Sequence, residues 1–274
     1  MKFSAFVQVV AADHFFDGSK ENLEVLKKLA LAYPTVQFWL YPYIAERMGK
    51  EKSFQQIGSA NFWHSLSRLL GYVLLPKGIE YTLFLDADEI AEGRQFKQWL
   101  DTCEYKNYAA LRPANYWYFR ESCYRAKTWE DSAVLLKNGQ LRLKALLQKN
   151  EREALFEKAR GAKKRQVIFA RRPLLHHYSW VRTKEQMLKK VRSWGHRQDC
   201  NWELLVEKEF LTAFQGRDFV HGYEFETVEP FYPIDLNPKF SESEEALKEI
   251  PNLHFLSSKE VLDWVKKSRG TSFF

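Results

Sequence analysis

YTLFLDADE, residues 81–89, is the stretch whose reading decides the fold. Tyr81 to Leu85 are apolar, aromatic or β-branched, the composition of a short strand buried on both faces of a mostly parallel sheet. The run stops at Asp86-Ala87-Asp88-Glu89. Carboxylates therefore stand at the carboxyl end of the strand, where open α/β sheets bind their ligands. In an extended chain Asp86 and Asp88 share one side and Ala87 points away. Two carboxylates on one side suit a hard cation, Mg²⁺ or Mn²⁺, which removes their mutual repulsion. The plainer alternative is a surface acid cluster at a helix start.

Toward the amino end, Phe3 to Val10 has strand composition, and Lys20 to Tyr33 places Leu23, Leu26, Ala30 and Tyr33 on one helical face. Pro34 ends that helix and Val36 to Tyr41 is a second strand, so the unit is βαβ and its strands are expected to be parallel. Residues 44–58 are polar and read as a loop. Asn61 to Leu74 reads as a helix buried along Phe62, Leu66, Leu69 and Val73.

Toward the carboxyl end, a short helix is expected over Gln95–Cys103 and strands over Tyr108–Leu111 and Tyr116–Phe119. The charged residues 149–172 read as a solvated helix and loop, with Lys163, Lys164, Arg165, Arg171 and Arg172 as a cationic patch. Leu174-Leu175 ends a strand at His176-His177. Thr183 caps the next helix, with Gln186 completing a capping box and Met187, Val191 and Trp194 on the buried face up to Gly195. A helix follows Asn201 to about Gln215. Extended chain comes next, then a last helix from about Ser258, capped by Ser257 and Glu260.

At 274 residues the chain suits one large domain with a small addition, expected as 1–200 and 201–274. Hydrophobic residues at 45% and aromatics at 16% exclude a disordered chain. The net charge of +7 suits a nucleoside diphosphate, an anionic membrane or nucleic acid, and does not choose among them. Cys103, Cys123 and Cys200 lack metal-ligand spacing and fit free thiols in a reducing compartment. The start MKFSAFVQVV has no secretion-signal pattern, and no segment has the length of a membrane span. The expected location is cytoplasmic, with peripheral contact to the inner face of the membrane.

FLDADE resembles the Asp-x-Asp motif of GT-A fold glycosyltransferases, in particular the family-2-like group. HHYSWVRTKEQ, residues 176–186, is similar to a late strand, histidine and Lys-rich helix of the same group. The resemblance implies a GT-A-like α/β fold: a mostly parallel central sheet, helices on both faces and a C-terminal helical extension. It also implies Asp86 and Asp88 on a Mn²⁺ or Mg²⁺ ion that bridges the donor diphosphate. His177 or His176 would complete the metal site, with His177 preferred. FFDGSKEN resembles the family's Asp-rich loop, so Asp13 or Asp17 would contact base and ribose, and Arg68 would reach a phosphate. The amino end departs from the family in having only about nine residues before this loop. Each feature also has a local explanation: an Asp-Gly turn, a solvated helix arginine, a hydrogen-bonded strand-end histidine.

By this resemblance the expected reaction is transfer of a sugar from a nucleotide-sugar to a glycan or glycolipid acceptor, with inversion, in bacterial surface glycan synthesis. An inverting transfer needs a carboxylate base, and Asp131 or Glu130 is the nearest candidate. Trp117 and Tyr118 would stack on a sugar ring or pack the core. No nucleic acid is expected. Two alternatives remain: a sugar-phosphate nucleotidyltransferase, for which FDGSK is a poor Gly-rich loop, and a non-catalytic basic protein binding nucleic acid or membrane.

Overall fold

The computed structural model describes residues 6–15, 18–44, 60–147, 151–193, 199–236 and 249–270. Asp17, the expected loop beyond Ile44, Trp194, Gly195 and His196 lie outside the described residues. The chain opens with β1 (Gln8–Ala12), α1 (Glu24–Ala32), β2 (Gln37–Tyr41) and α2 (Ala60–Val73). β3 (Tyr81–Phe84), β4 (Glu89–Ala91), α3 (Gly93–Asp101), β5 (Ala110–Pro113), β6 (Asn115–Phe119), β7 (Glu121–Glu130) and β8 (Val134–Lys137) follow. Then come α4 (Glu151–Lys158), β9 (Lys163–Phe169), β10 (Arg172–Pro173), β11 (Leu175–Trp180), α5 (Lys184–Ser193) and α6 (Trp202–Glu209). β12 (Phe225–Thr227), β13 (Leu253–Phe255) and α7 (Ser258–Arg269) complete it. No helix among the described residues is long and apolar enough to cross a membrane.

The result is a mixed α/β protein that divides into two compact units, each discontinuous in sequence. One unit holds residues 2–79, 141–154 and 239–274. Its sheet, in the order β1-β2-β13, is parallel throughout, and the βαβ expectation holds for it. Ala30 of α1 packs on Phe38, Leu40, Ile250 and Leu253, so the carboxyl-terminal strand completes the sheet begun at the amino end. Asn252 secures that join. Its side-chain amide donates to the carbonyls of Ala30, Tyr33 and Val36 at 3.0, 3.1 and 2.8 Å. α7 carries the expected capping box at Ser257 and Glu260.

The other unit holds residues 80–140 and 155–238, so the chain crosses residue 200 inside it. It contains two five-stranded sheets, β10-β9-β5-β8-β3 and β12-β7-β6-β11-β4. Both are mainly antiparallel; their parallel pairs are β5–β9 and β6–β11. This corrects the reading of residues 81–85. β3 is an edge strand, antiparallel to β8, and only Phe84 is buried. The apolar run is short because the strand has one neighbour and leaves the sheet at Leu85, which is 40% exposed.

Four strands pass from one sheet to the other: β3 to β4, β5 to β6, β7 to β8 and β10 to β11. The passages fall at 85–88, Ala114, 131–133 and Leu174. Ala114, Ala133 and Leu174 are fully buried there, and the amides of Leu174 and Leu175 both donate to the Ala114 carbonyl at 3.0 and 3.2 Å. Small side chains let the backbones approach closely along this seam. Met187 and Val191 of α5 and Val206 of α6 pack with Trp117, Phe119, Trp180 and Phe225 to form the core beside it.

Residues 163–169 are strand, not solvated loop. Their charges are matched, with Lys164 on Glu104 and Arg165 on Glu157 and Asp131, while Val167 is buried.

Replacing Asn252 by Ala strips three carbonyls of their donor and is expected to cost about 2–4 kcal/mol. Urea unfolding checks this; a loss below about 0.5 kcal/mol would contradict the assigned role.

Candidate functional site

The acids at the end of β3 do not continue as extended chain. Asp86 to Glu89 closes a turn, with the Glu89 amide donating to the Asp86 carbonyl at 3.0 Å. Glu89 folds back into it. Its carboxylate accepts the Asp86 amide at 2.8 Å and the Ser132 hydroxyl at 2.5 Å, and the residue is 6% exposed. The even-odd alternation expected for Asp86 and Asp88 is therefore replaced by a turn. Both carboxylates still act on one group, the Lys190 ammonium of α5.

β11 runs through both histidines rather than ending at them, so His176 and His177 face opposite ways. His177 faces the acids. Its Nε2 lies 3.5 Å from Asp88 Oδ1 and its Nδ1 lies 3.8 Å from Glu130 Oε2. Burial opposes a charge on this ring, but Asp88, Glu130 and Glu89 outweigh it and raise its pKa to about 9. Asp88 responds in kind. Burial would raise its carboxyl, yet His177, Lys190 and Arg182 hold it well below the usual carboxylate range. Arg182 lies 3.7 Å from Asp88 Oδ2. Lys190 donates to the Ser179 carbonyl and hydroxyl at 3.0 and 2.6 Å; burial brings its pKa down to about 8 against the pull of Asp88.

Beside the turn is a cavity of about 190 Å³, walled by Ala87, Asp88, Ile90, Tyr178, Val181, Arg182 and Ile234. A larger hollow of about 330 Å³ lies by α3 and the β9–β10 hairpin, lined by Gln95, Phe169 and Arg172, and holds none of these acid–base groups.

Asp88, Glu130 and His177 thus come together from three separate stretches, and Asp86 is linked to them through its charge at Lys190. Other expected residues do not join them. Asp131, just past the end of β7, is held between Arg112 at 3.2 Å and Arg165 at 3.7 Å. His176 is stacked on Phe231, ring centroids 3.8 Å apart, and bonded through Nδ1 to the Tyr118 hydroxyl at 2.8 Å. Trp117 and Tyr118 are each 1% exposed and belong to the core. Asp13 and Arg68 belong to the other unit. There Tyr41 is pushed up to about 12, first by burial and then by the Asp13 charge, and its hydroxyl bonds Ser67 Oγ at 2.8 Å.

The donor set at the turn that could hold a hard cation is Asp86 and Asp88, and Asp88 already faces His177 at 3.5 Å and Arg182 at 3.7 Å. It does not fit a histidine ligand. Both nitrogens of His177 face carboxylates, and His176 lies in an aromatic stack on the opposite face. Among the described residues no three His, Cys, Asp or Glu side chains converge as a ready ligand cluster. No protein-family model, curated protein or solved structure matches this chain.

Two residues escaped the sequence reading, and a third, Lys190, reads from the sequence as facing solvent. Lys190 lies three positions after buried Met187, at the rim of the helix's inner face, and that spacing was a usable signal. His221 and Tyr223 reach Glu130 from a turn far along the chain; His221 Nε2 is 3.6 Å from Glu130 Oε1. No periodicity marks such a return.

The neighbouring histidines titrate in opposite directions. Burial, with Arg125, lowers His176 from 6.5 to about 4. Between those values the unfolded chain binds a proton that the folded one refuses, so stability should fall by about 3 kcal/mol as pH drops through that window. His177 is raised, so its contribution is complete below pH 6.5 and fades as pH climbs through about 9. Urea unfolding across pH should show His176→Phe flattening the acid limb alone. An unchanged acid limb in that variant would contradict the assignment.

Proposed function

We propose that this protein is a glycosyltransferase that moves a sugar from a nucleotide-sugar to a saccharide hydroxyl with inversion, assisted by Mn²⁺ or Mg²⁺. One observation carries the reading. Asp88 of FLDADE and Glu130 at the end of β7, an ion ligand and a base in this reading, meet on the two nitrogens of His177. In this reading the fold is a GT-A variant, the acceptor is a glycan or glycolipid, and the work is done at or near an anionic membrane in the cytoplasm.

Asp86 and Asp88 would hold the ion, which when bound neutralises charge developing on the leaving diphosphate. Arg182 and Lys190 add fixed positive charge at the same turn. Glu130 takes the proton of the acceptor hydroxyl, and His177 beside it keeps that carboxylate oriented.

The two other readings find less support. Of the cations at 163–165, which a membrane or nucleic-acid surface would need exposed and unmatched, Lys164 and Arg165 sit against Glu104, Glu157 and Asp131. A nucleotidyltransferase would open its glycine loop to phosphate, yet a Cβ at Gly18 would meet the Tyr43 ring at 2.8 Å.

Thermal unfolding with UDP-, GDP- and CMP-sugars, with and without Mn²⁺, tests the proposal. One donor should stabilise the protein only with the ion, by about 2–3 kcal/mol at a hundredfold excess over Kd. Asp86→Asn and Asp88→Asn should each abolish the ion's effect. Glu130→Gln should keep it while lowering turnover roughly 10²–10⁴-fold. Stabilisation indifferent to Mn²⁺ and to both asparagine variants would refute the reading.

A further inference from the structure

We infer that His221 is the proton exit of this site: it accepts the proton that Glu130 removes from the acceptor hydroxyl and passes it to solvent. The inference rests on the reading of Glu130 as the base and adds a residue and a route to it.

The turn that carries His221 is built for position. Asp218 is 4% exposed, and its Oδ1 accepts the amides of Val220, His221 and Gly222 at 2.7, 2.6 and 3.3 Å. Its Oδ2 accepts the Tyr223 amide at 2.8 Å. Gly222 has φ of 71°, a conformation that favours glycine, and its carbonyl accepts Arg217 Nε at 2.8 Å. Four amides on one buried carboxylate fix the backbone of residues 220–223. The His221 ring then stacks on Tyr223 and meets buried Trp117 edge-on, each at 5.0 Å between centroids. Two contacts and a rigid backbone leave the imidazole little freedom, and they point Nε2 at Glu130 Oε1, 3.6 Å away.

Exposure sets the direction of transfer. The His221 side chain is 42% exposed, against 18% for Glu130 and 12% for His177. The inward neighbour offers no exit, since both nitrogens of His177 already face carboxylates. The groups around His221 are Glu130 of β7, His177 behind it, and Asp218, Tyr223 and Arg217 of its own turn.

The proton count closes. The acceptor oxygen bonds the anomeric carbon as the bond from that carbon to the diphosphate breaks, and the electron pair leaves with the diphosphate. The acceptor proton goes to a Glu130 oxygen, then to Nε2 of His221. The same ring gives up a proton from Nδ1 to water. A gap of 3.6 Å closes by a small side-chain movement or through one water.

The test measures nucleotide release from UDP-, GDP- and CMP-sugars in Mn²⁺ by the full chain, His221→Gln, His221→Ala and Glu130→Gln. Both His221 variants should lose kcat on the order of tenfold or more, with KM and thermal stability held. Imidazole in the buffer should restore His221→Ala, which a merely structural role would not allow. Full activity of Glu130→Gln, or no turnover of any donor by the unaltered protein, overturns the base assignment and the exit with it. An inactive Glu130→Gln beside fully active His221 variants overturns the exit alone, as does loss of activity that imidazole leaves unrepaired.

Discussion

The site is organised by a buried positive charge. The His177 imidazolium sits between Asp88 and Glu130, with Glu89 nearby, in a strand that is otherwise mostly buried. A charge in such a place costs several kcal/mol unless its partners are close. The partners come from the turn after β3 and from the end of β7, so a single ring ties two of the four passages between the sheets to the strand that follows a third. Remove the ring and two carboxylates face each other across the seam; remove either carboxylate and the ring is stranded.

That pairing also explains why the functional groups cluster. Strands that switch sheets must bend, and the bend exposes side chains that a regular strand would hand to one face or the other. Asp86 to Glu89, Asn115, Glu130 to Ser132 and His176 all lie at or next to such a bend. Ser132 links two of them, donating to Glu89 and accepting from the Asn115 amide at 2.8 Å. The cavity sets the apolar side chains of Ile90, Tyr178, Val181 and Ile234 beside Asp88 and Arg182.

Local signals in the sequence were read well. The strand ending in carboxylates, the βαβ start, the capping boxes at Thr183 and Ser257, and the buried faces of α2 and α5 all follow from spacing that a helix or strand imposes by itself. What was lost depended on distant contact. An apolar run such as YTLF fits an interior parallel strand or an edge strand equally, because its neighbours are set by residues 134–137. Lys164 and Arg165 look solvated until Glu104 and Glu157 supply their counter-charges. The parity of His176 and His177 depends on the register of β11 against β4 and β6, which no local pattern encodes. The order of the two acids at 130 and 131 depends likewise on Arg112, nineteen residues away.

The most direct test is anomalous diffraction from crystals grown with Mn²⁺ and UDP or GDP. The account predicts a manganese peak ligated by Asp86 and Asp88, with diphosphate oxygens on its open side and His177 still between Asp88 and Glu130. An ordered nucleotide with its manganese elsewhere, while Asp88 stays against Arg182, would contradict it.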